Sequence, residues 1–206
     1  MFDWLAEWVT SVIETLGYPG LTILVALENV FPPIPSEVIL PLAGFLTGQN
    51  RFSFPIVLFA TTLGSLLGAL LLYSIGAAIG QARVQRIVEK YGRWALLTPE
   101  DLTRAETWFD RFGPIAVFTG RLVPIVRSLV SIPAGYRRMP ISQFVLLTGA
   151  GSLLWNGALV TLGWIFGENW HIIERYVGWL QYIVIAVVAV LIVRFVWLRL
   201  RQRRLA

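Results

Sequence analysis

Glu28-Asn29-Val30-Phe31-Pro32-Pro33-Ile34-Pro35-Ser36-Glu37 is the stretch on which the reading of this chain turns. It sits inside an apolar run, residues 21–45, that carries four prolines (Pro32, Pro33, Pro35, Pro41) and two carboxylates, Glu28 and Glu37. A straight lipid-facing helix would lose backbone hydrogen bonds at those prolines and would place charge in hydrocarbon. Broken backbone survives at membrane depth only where protein or a water-filled cavity covers it, so this segment is predicted to be a re-entrant helical hairpin. Residues 115–135 repeat the pattern with the opposite charge: Pro124 and Pro133 interrupt an apolar run that contains Arg121 and Arg127. A second hairpin is predicted there.

The whole composition agrees with a membrane setting. Of 206 residues 56% are hydrophobic and only 14% are charged, with a mean hydropathy of +0.69. Such a chain has too little polar surface to cover itself in water, which excludes a soluble enzyme, a secreted disulfide scaffold and a disordered tail. With no Cys and one His there is no disulfide, no thiol nucleophile and no common metal site, so neither metal nor cofactor is expected. His171 reads as an interfacial residue beside the last span rather than as a proton relay.

Three stretches meet the length of about 20 apolar residues that a spanning helix needs: 52–80, 139–167 and 177–193. Residues 1–16 lack a basic n-region and carry three acids, and are not read as a signal peptide. Trp4, Leu5, Trp8, Val9, Val12, Ile13 and Leu16 instead share one helical face, as in an interfacial helix that Gly17 would end. Residues 81–113 look soluble. They are predicted to form two surface helices, one with Val84, Ile87, Val88 and Tyr91 as its apolar stripe. The other opens at Thr98-Pro99-Glu100-Asp101, carries Leu102, Ala105, Phe109 and Phe112, and stops at Gly113. Their mixed charges read as a solvated face.

Gly64-Ser65-Leu66-Leu67 recurs as Gly151-Ser152-Leu153-Leu154, and Gly76 and Gly80 recur as Gly163 and Gly167 at the same offset of 87 residues. Ahead of each span the hairpin ends alike, in Pro41-Leu42-Ala43-Gly44 and in Pro133-Ala134-Gly135. The chain therefore reads as an all-α polytopic membrane protein. An interfacial amphipathic helix (1–17) precedes a transport domain (18–167). That domain holds repeat 1 (18–80), the helices of 81–113 and repeat 2 (114–167), each repeat a re-entrant hairpin plus a transmembrane helix. One further transmembrane helix and a basic tail (168–206) follow. The glycines at four-residue spacing are read as ordinary helix packing.

Charge sets the expected topology. The first 50 residues hold five acids and no base, whereas the last 13 hold five Arg and no acid. Lys and Arg accumulate on the cytoplasmic side, which places the C-terminus inside and the 168–176 loop outside. The second hairpin then enters from the cytoplasm and the first from the outer face, so the repeats are inverted, an arrangement of transporters with sites where the hairpin tips meet. A basic tail beside a span anchors to anionic lipid, and nucleic acid is not an expected partner.

Four ionisable residues remain in the hairpins. Each costs about 3 kcal/mol at mid-membrane, so four unpaired would cost roughly 10–14 kcal/mol, as much as a domain's whole stability. They must be paired or hydrated. Internal salt bridges pinning the hairpins would satisfy this. So would a site in which Arg121 and Arg127 present forked donors to a phosphate while a glutamate, its pKa movable by desolvation, carries a proton.

At these residues the chain resembles a known family. Phe118-Thr119-Gly120-Arg121-Leu122-Val123-Pro124-Ile125-Val126-Arg127-Ser128, continuing to Ile132-Pro133-Ala134-Gly135-Tyr136-Arg137-Arg138-Met139, is similar to the arginine motif of the DedA family of bacterial inner-membrane proteins, which carry the VTT, or SNARE-associated Golgi protein, domain. Glu28 to Glu37 resembles that family's acidic, proline-rich motif, where some members have Asp at the place of Glu37. The resemblance spans roughly residues 18–167.

It implies a translocase for a polyprenyl phosphate such as undecaprenyl phosphate, or for a phospholipid, driven by the proton-motive force. Glu28 and Glu37 would be the proton-linked acids, Arg121 and Arg127 the phosphate-handling residues, and Pro32, Pro33, Pro35, Pro124 and Pro133 the hairpin breaks. The partners implied are the lipid substrate, protons and the bilayer, in a bacterial inner membrane with a cytoplasmic C-terminus. Which glutamate is the main proton carrier, which lipid is carried and whether the chain forms a homo-oligomer stay open. Some relatives bear an alkaline phosphatase-like label, but no metal cluster or nucleophile assembly is evident and no enzyme is expected. A proton/cation antiporter and a non-transporting membrane scaffold are the alternatives.

Overall fold

The computed structural model describes residues 3–31, 36–91, 99–124 and 126–166. The proline run at Pro32, Pro33 and Pro35, and everything from 167 on, including the expected last span, His171 and the basic tail, lie outside the described residues. Those described form eight helices and no strand: α1 (Asp3–Val30), α2 (Ser36–Gly48), α3 (Phe54–Ile79), α4 (Gln81–Tyr91), α5 (Pro99–Gly120), α6 (Val126–Leu129), α7 (Ser131–Tyr136) and α8 (Ile141–Phe166).

α3 and α8 fall within two residues of the first two expected spans. Ser53 and Pro55 start α3, and Gly80, at φ 68, ends it. Their faces are sorted as a membrane demands. Phe59, Leu63, Leu67, Leu71 and Ile75, every fourth residue of α3, are exposed, while Gly64, Ser65, Gly68 and Ala69 are buried. Large apolar side chains face outward and small ones let helix backbones approach.

α1 runs in two pieces, because Gly17 takes φ 62 and ψ −140, where an L side chain is strained. Pro19 follows in the first turn of the second piece, where no intrahelical N–H is needed. The expected helix end is thus a kink, and through it residues Glu7–Val30 become a third stretch long and apolar enough to cross a membrane, beside Phe54–Ile79 and Ile141–Phe166. The N-terminal stripe is also more than an interfacial face. Trp8 and Leu16 are exposed, but Val9 and Ile13 are buried in a core with Leu24, Ile39, Leu40 and Val160.

The second surface helix departs from expectation as well. α5 starts at Pro99 as expected but does not stop at Gly113; it continues through Pro114 to Gly120. Pro114 gives up one helical hydrogen bond. Ala116 and Val117 lie beyond it and are buried with Phe109, Val130 and Phe144, so burial prevails over the local Gly-Pro signal. In α4, Ile87 of the expected stripe is 52% exposed.

The repeats exchange arms. α1 packs on α3 and α5 on α8 within each half, whereas α2 packs on α8 and α7 on α3 across the halves. A Cβ on Gly163 would overlap the Pro41 carbonyl oxygen, and one on Gly76 the Ile132 carbonyl oxygen; Gly44 lies as tightly on Val160 and Gly135 on Tyr73. The offset of 87 relates Gly76 to Gly163 and Tyr73 to Val160, and an offset of 91 relates Pro41 to Ile132 and Gly44 to Gly135. The same backbone contact is therefore made twice with the halves exchanged.

Candidate functional site

The last turn of α1 carries Glu28 and Asn29, which are 2% and 1% exposed. They face a tight turn that closes α5, in which Arg121 N–H donates to Phe118 O at 3.2 Å and Leu122 N–H to Thr119 O at 3.0 Å. Pro124 follows the turn, and α6 begins two residues later with Arg127 in its first turn. The second expected break behaves differently: Pro133 lies in the first turn of α7, where a missing N–H is tolerated, and Val130 between α6 and α7 keeps helical φ/ψ, its N–H donating to Val126 O at 2.9 Å and its carbonyl accepting from Ala134 N–H at 3.3 Å.

Arg127 Nη2 forms an ion pair with Glu28 Oε1. Both are buried, and Glu28 Oε2 accepts no hydrogen bond from the described residues. Arg121, only 1% exposed, is held by neutral partners: Nη1 donates to Asn29 Oδ1 at 3.1 Å and Nη2 to Ser131 Oγ at 2.6 Å, while Nε has no partner among the described residues. Asn29 Nδ2 donates in turn to Ser65 O at 3.4 Å, and Asn156 Nδ2 to Ser65 Oγ at 3.2 Å. One polar chain, Ser131–Arg121–Asn29–Ser65–Asn156, thus links α7, α1, α3 and α8 through the bundle centre.

Three of the four ionisable hairpin residues are brought together. Glu37 is not among them: it is half-buried in the first turn of α2, with no ion-pair partner among the described residues, where the positive end of the helix dipole favours its negative charge. Among the described residues the buried cluster accordingly holds two guanidiniums and one carboxylate. The neutral members Asn29, Ser65, Ser131 and Asn156 are absent from a reading that counts charges; polar amides and hydroxyls inside apolar segments were the signal available.

A second polar group lies at the end of the bundle where α3 finishes and α8 begins. Arg137 pairs with Asp110, its Nε donating to Oδ1 at 2.9 Å, and lies 3.9 Å from Glu106 Oε2, which also accepts from Gln81 Nε2 at 3.0 Å. The Asp110 hydrogen bond raises the Arg137 pKa further above its ordinary value. Tyr73 Oη donates to Met139 O at 2.6 Å and ties α3 to the start of α8. Among the described residues no three His, Asp or Glu converge as metal ligands.

The sequence profile of the VTT domain matches residues 34–165, which include both buried arginines. The chain is 39% identical over 198 residues, 96% of its length and 92% of the relative's, to a protein of Lactococcus lactis subsp. cremoris named alkaline phosphatase-like protein. It is 33% identical to undecaprenyl phosphate transporter A of Staphylococcus aureus, over 91% of this chain and 92% of that one. With the protein of the same name from Bacillus subtilis it shares 32% identity over 83% and 80% of the two chains. No solved structure matches. The matched domain, the apolar helices and the extent of these likenesses identify the chain as a membrane protein of the VTT-domain, or DedA, family.

Proposed function

We propose that this protein carries a lipid phosphate, undecaprenyl phosphate being the leading candidate, across the bacterial inner membrane, and that Arg121 and Arg127 hold the phosphate. The observation that carries this reading is the charge imbalance of the buried cluster. Arg127 has Glu28, whereas Arg121 is as deeply buried with only neutral partners among the described residues. An unneutralised charge in a low-dielectric interior costs several kcal/mol. A phosphate supplies the missing negative charge and acceptor oxygens suited to a forked guanidinium. The names of the Staphylococcus and Bacillus relatives support the same substrate class.

In the proposed cycle an incoming phosphate takes the place of Glu28 on Arg127. The freed carboxylate, desolvated and without a counter-ion, binds a proton, which it releases when the site opens to the other side. Phosphate and proton occupancy become linked, and a proton gradient drives the lipid. Glu37, at the head of α2, is the second acid of this scheme. The hairpins are re-entrant and of opposite orientation, between the N-terminal helix (1–17) and a last span (168–206) whose tail is cytoplasmic.

The test is transport of labelled undecaprenyl phosphate in reconstituted vesicles, with and without an imposed pH difference, for wild type and Arg121→Gln. Gradient-dependent movement lost in the variant supports the proposal. A wild type indifferent to the gradient reduces it to scrambling. Proton flux without lipid flux indicates an antiporter, and no flux of either kind a scaffold.

A further inference from the structure

Outside the buried cluster lies a cavity of about 580 Å³ between the end of α3, the first turn of α4 and the α7–α8 junction. It is within the range of about 300–1,000 Å³ typical of ligand pockets. Arg83, Arg86, Arg137 and Arg138 line it, and no Asp or Glu among the described residues does. Arg137 is already engaged by Asp110 and Glu106. The other three have no carboxylate partner among the described residues: Arg83 and Arg86 reach only the carbonyls of Ala78 and Ala82, at 3.5 and 3.3 Å, and all three side chains are exposed. The first turn of α4 adds the positive end of its dipole on the same side.

Three unneutralised guanidiniums around one concavity repel one another, and an anion relieves all three at once. The place selects the anion further. The cavity lies where Phe54–Ile79 ends and Ile141–Phe166 is about to begin, and the ends of helices long and apolar enough to cross a bilayer reach the headgroups rather than the hydrocarbon. We infer that this cavity is a second binding site for an anionic phosphate group, separate from the buried cluster and clamped by Arg83, Arg86 and Arg138. Lipid headgroups and free phosphate share this chemistry. Binding here needs no translocation and no contribution from Arg121 or Arg127, so its failure would leave the transport reading intact, and the reverse.

The chain has no cysteine, so a fluorophore on Ala82→Cys reports on the cavity alone. The full chain in phosphatidylcholine nanodiscs is titrated with inorganic phosphate in one arm and with increasing phosphatidylglycerol in another. A saturable change with phosphatidylglycerol identifies a lipid headgroup site, and one with inorganic phosphate a free-anion site; either supports the inference. Substituting Arg83→Gln, Arg86→Gln and Arg138→Gln together should weaken the response by more than about tenfold, the scale of one charged hydrogen bond. Arg111→Gln, the same charge change at an exposed arginine outside the cavity, should leave it within about twofold, the size expected of a weak surface charge effect. Absence of any response in the labelled parent chain, or an equal response in the triple variant, overturns the inference.

Discussion

Replacing Gly151 by Ala is expected to disable the buried cluster without touching any of its polar atoms. A Cβ at this position would lie 2.7 Å from Arg121 Cβ, 2.9 Å from Phe118 O and 3.2 Å from Arg121 Cγ, where ordinary contact begins near 3.4 Å. α5 and α8 must therefore separate locally by about 0.5–0.7 Å. The near atoms are backbone or the root of a side chain and cannot rotate aside. A shift of that size would stretch the 3.1 Å bond from Arg121 Nη1 to Asn29 Oδ1 beyond hydrogen-bond range, and it exceeds the ~0.5 Å within which functional sites must be held. Overpacking of this kind costs about 1–3 kcal/mol. Gly149→Ala, two residues away with no atom nearer than 3.9 Å, should be neutral or gain up to ~1 kcal/mol of helix propensity. The assay is fractional survival of the monodisperse peak after heating detergent-solubilised protein, paired with vesicle transport. Equal survival and equal transport for the two alanine variants would refute the idea that close α5–α8 approach positions Arg121.

Arg127→Ala should abolish transport in protein that still reaches the membrane, and Arg127→Lys should rescue it poorly, since an ammonium keeps the charge but loses the fork; full transport by the lysine variant would point to a generic positive charge. Glu28→Gln leaves Arg127 without its counter-ion and should cost about 3–5 kcal/mol in thermal denaturation. The double variant Glu28→Gln/Arg127→Gln should recover much of that stability but no transport, and recovery of function would mark the pair as structural. Gln49→Cys should react with an impermeant thiol reagent added outside and Gln202→Cys only after permeabilisation; labelling of both from one side would overturn the inverted arrangement.

What was legible in the sequence was whatever composition and repetition encode. The spans around Gly64 and Gly151 are visible as uncharged runs, and the matching glycines anticipate two copies. That Gly76 and Gly163 fit the opposite copy's carbonyls, whereas Gly64 and Gly151 meet carbonyls of their own, is invisible in one dimension, because the offset identifies equivalent positions without saying which half each one touches. Gly113-Pro114 read as a stop because local signals say so, whereas the burial of Ala116 and Val117 that carries α5 onward is a tertiary effect. Val9 and Ile13 show the same limit, since an apolar stripe looks identical whether it faces lipid headgroups or a core. In the site, charge in an apolar segment was a sufficient signal for Arg121, Arg127 and Glu28. It did not separate Glu37, at the start of α2, from Glu28, nor find Asn29 and Ser131, whose neutral groups hold Arg121.

The proposal that phosphate replaces Glu28 on Arg127 is tested most directly by infrared difference spectroscopy of the protein in nanodiscs, perfused with a soluble short-chain polyprenyl phosphate and then with the corresponding alcohol. The phosphate should bring up the carbonyl stretch of a newly protonated, desolvated carboxyl group, the alcohol should not, and Glu28→Gln should lack the band. No band in the wild type, or the same band in Glu28→Gln, would contradict the account.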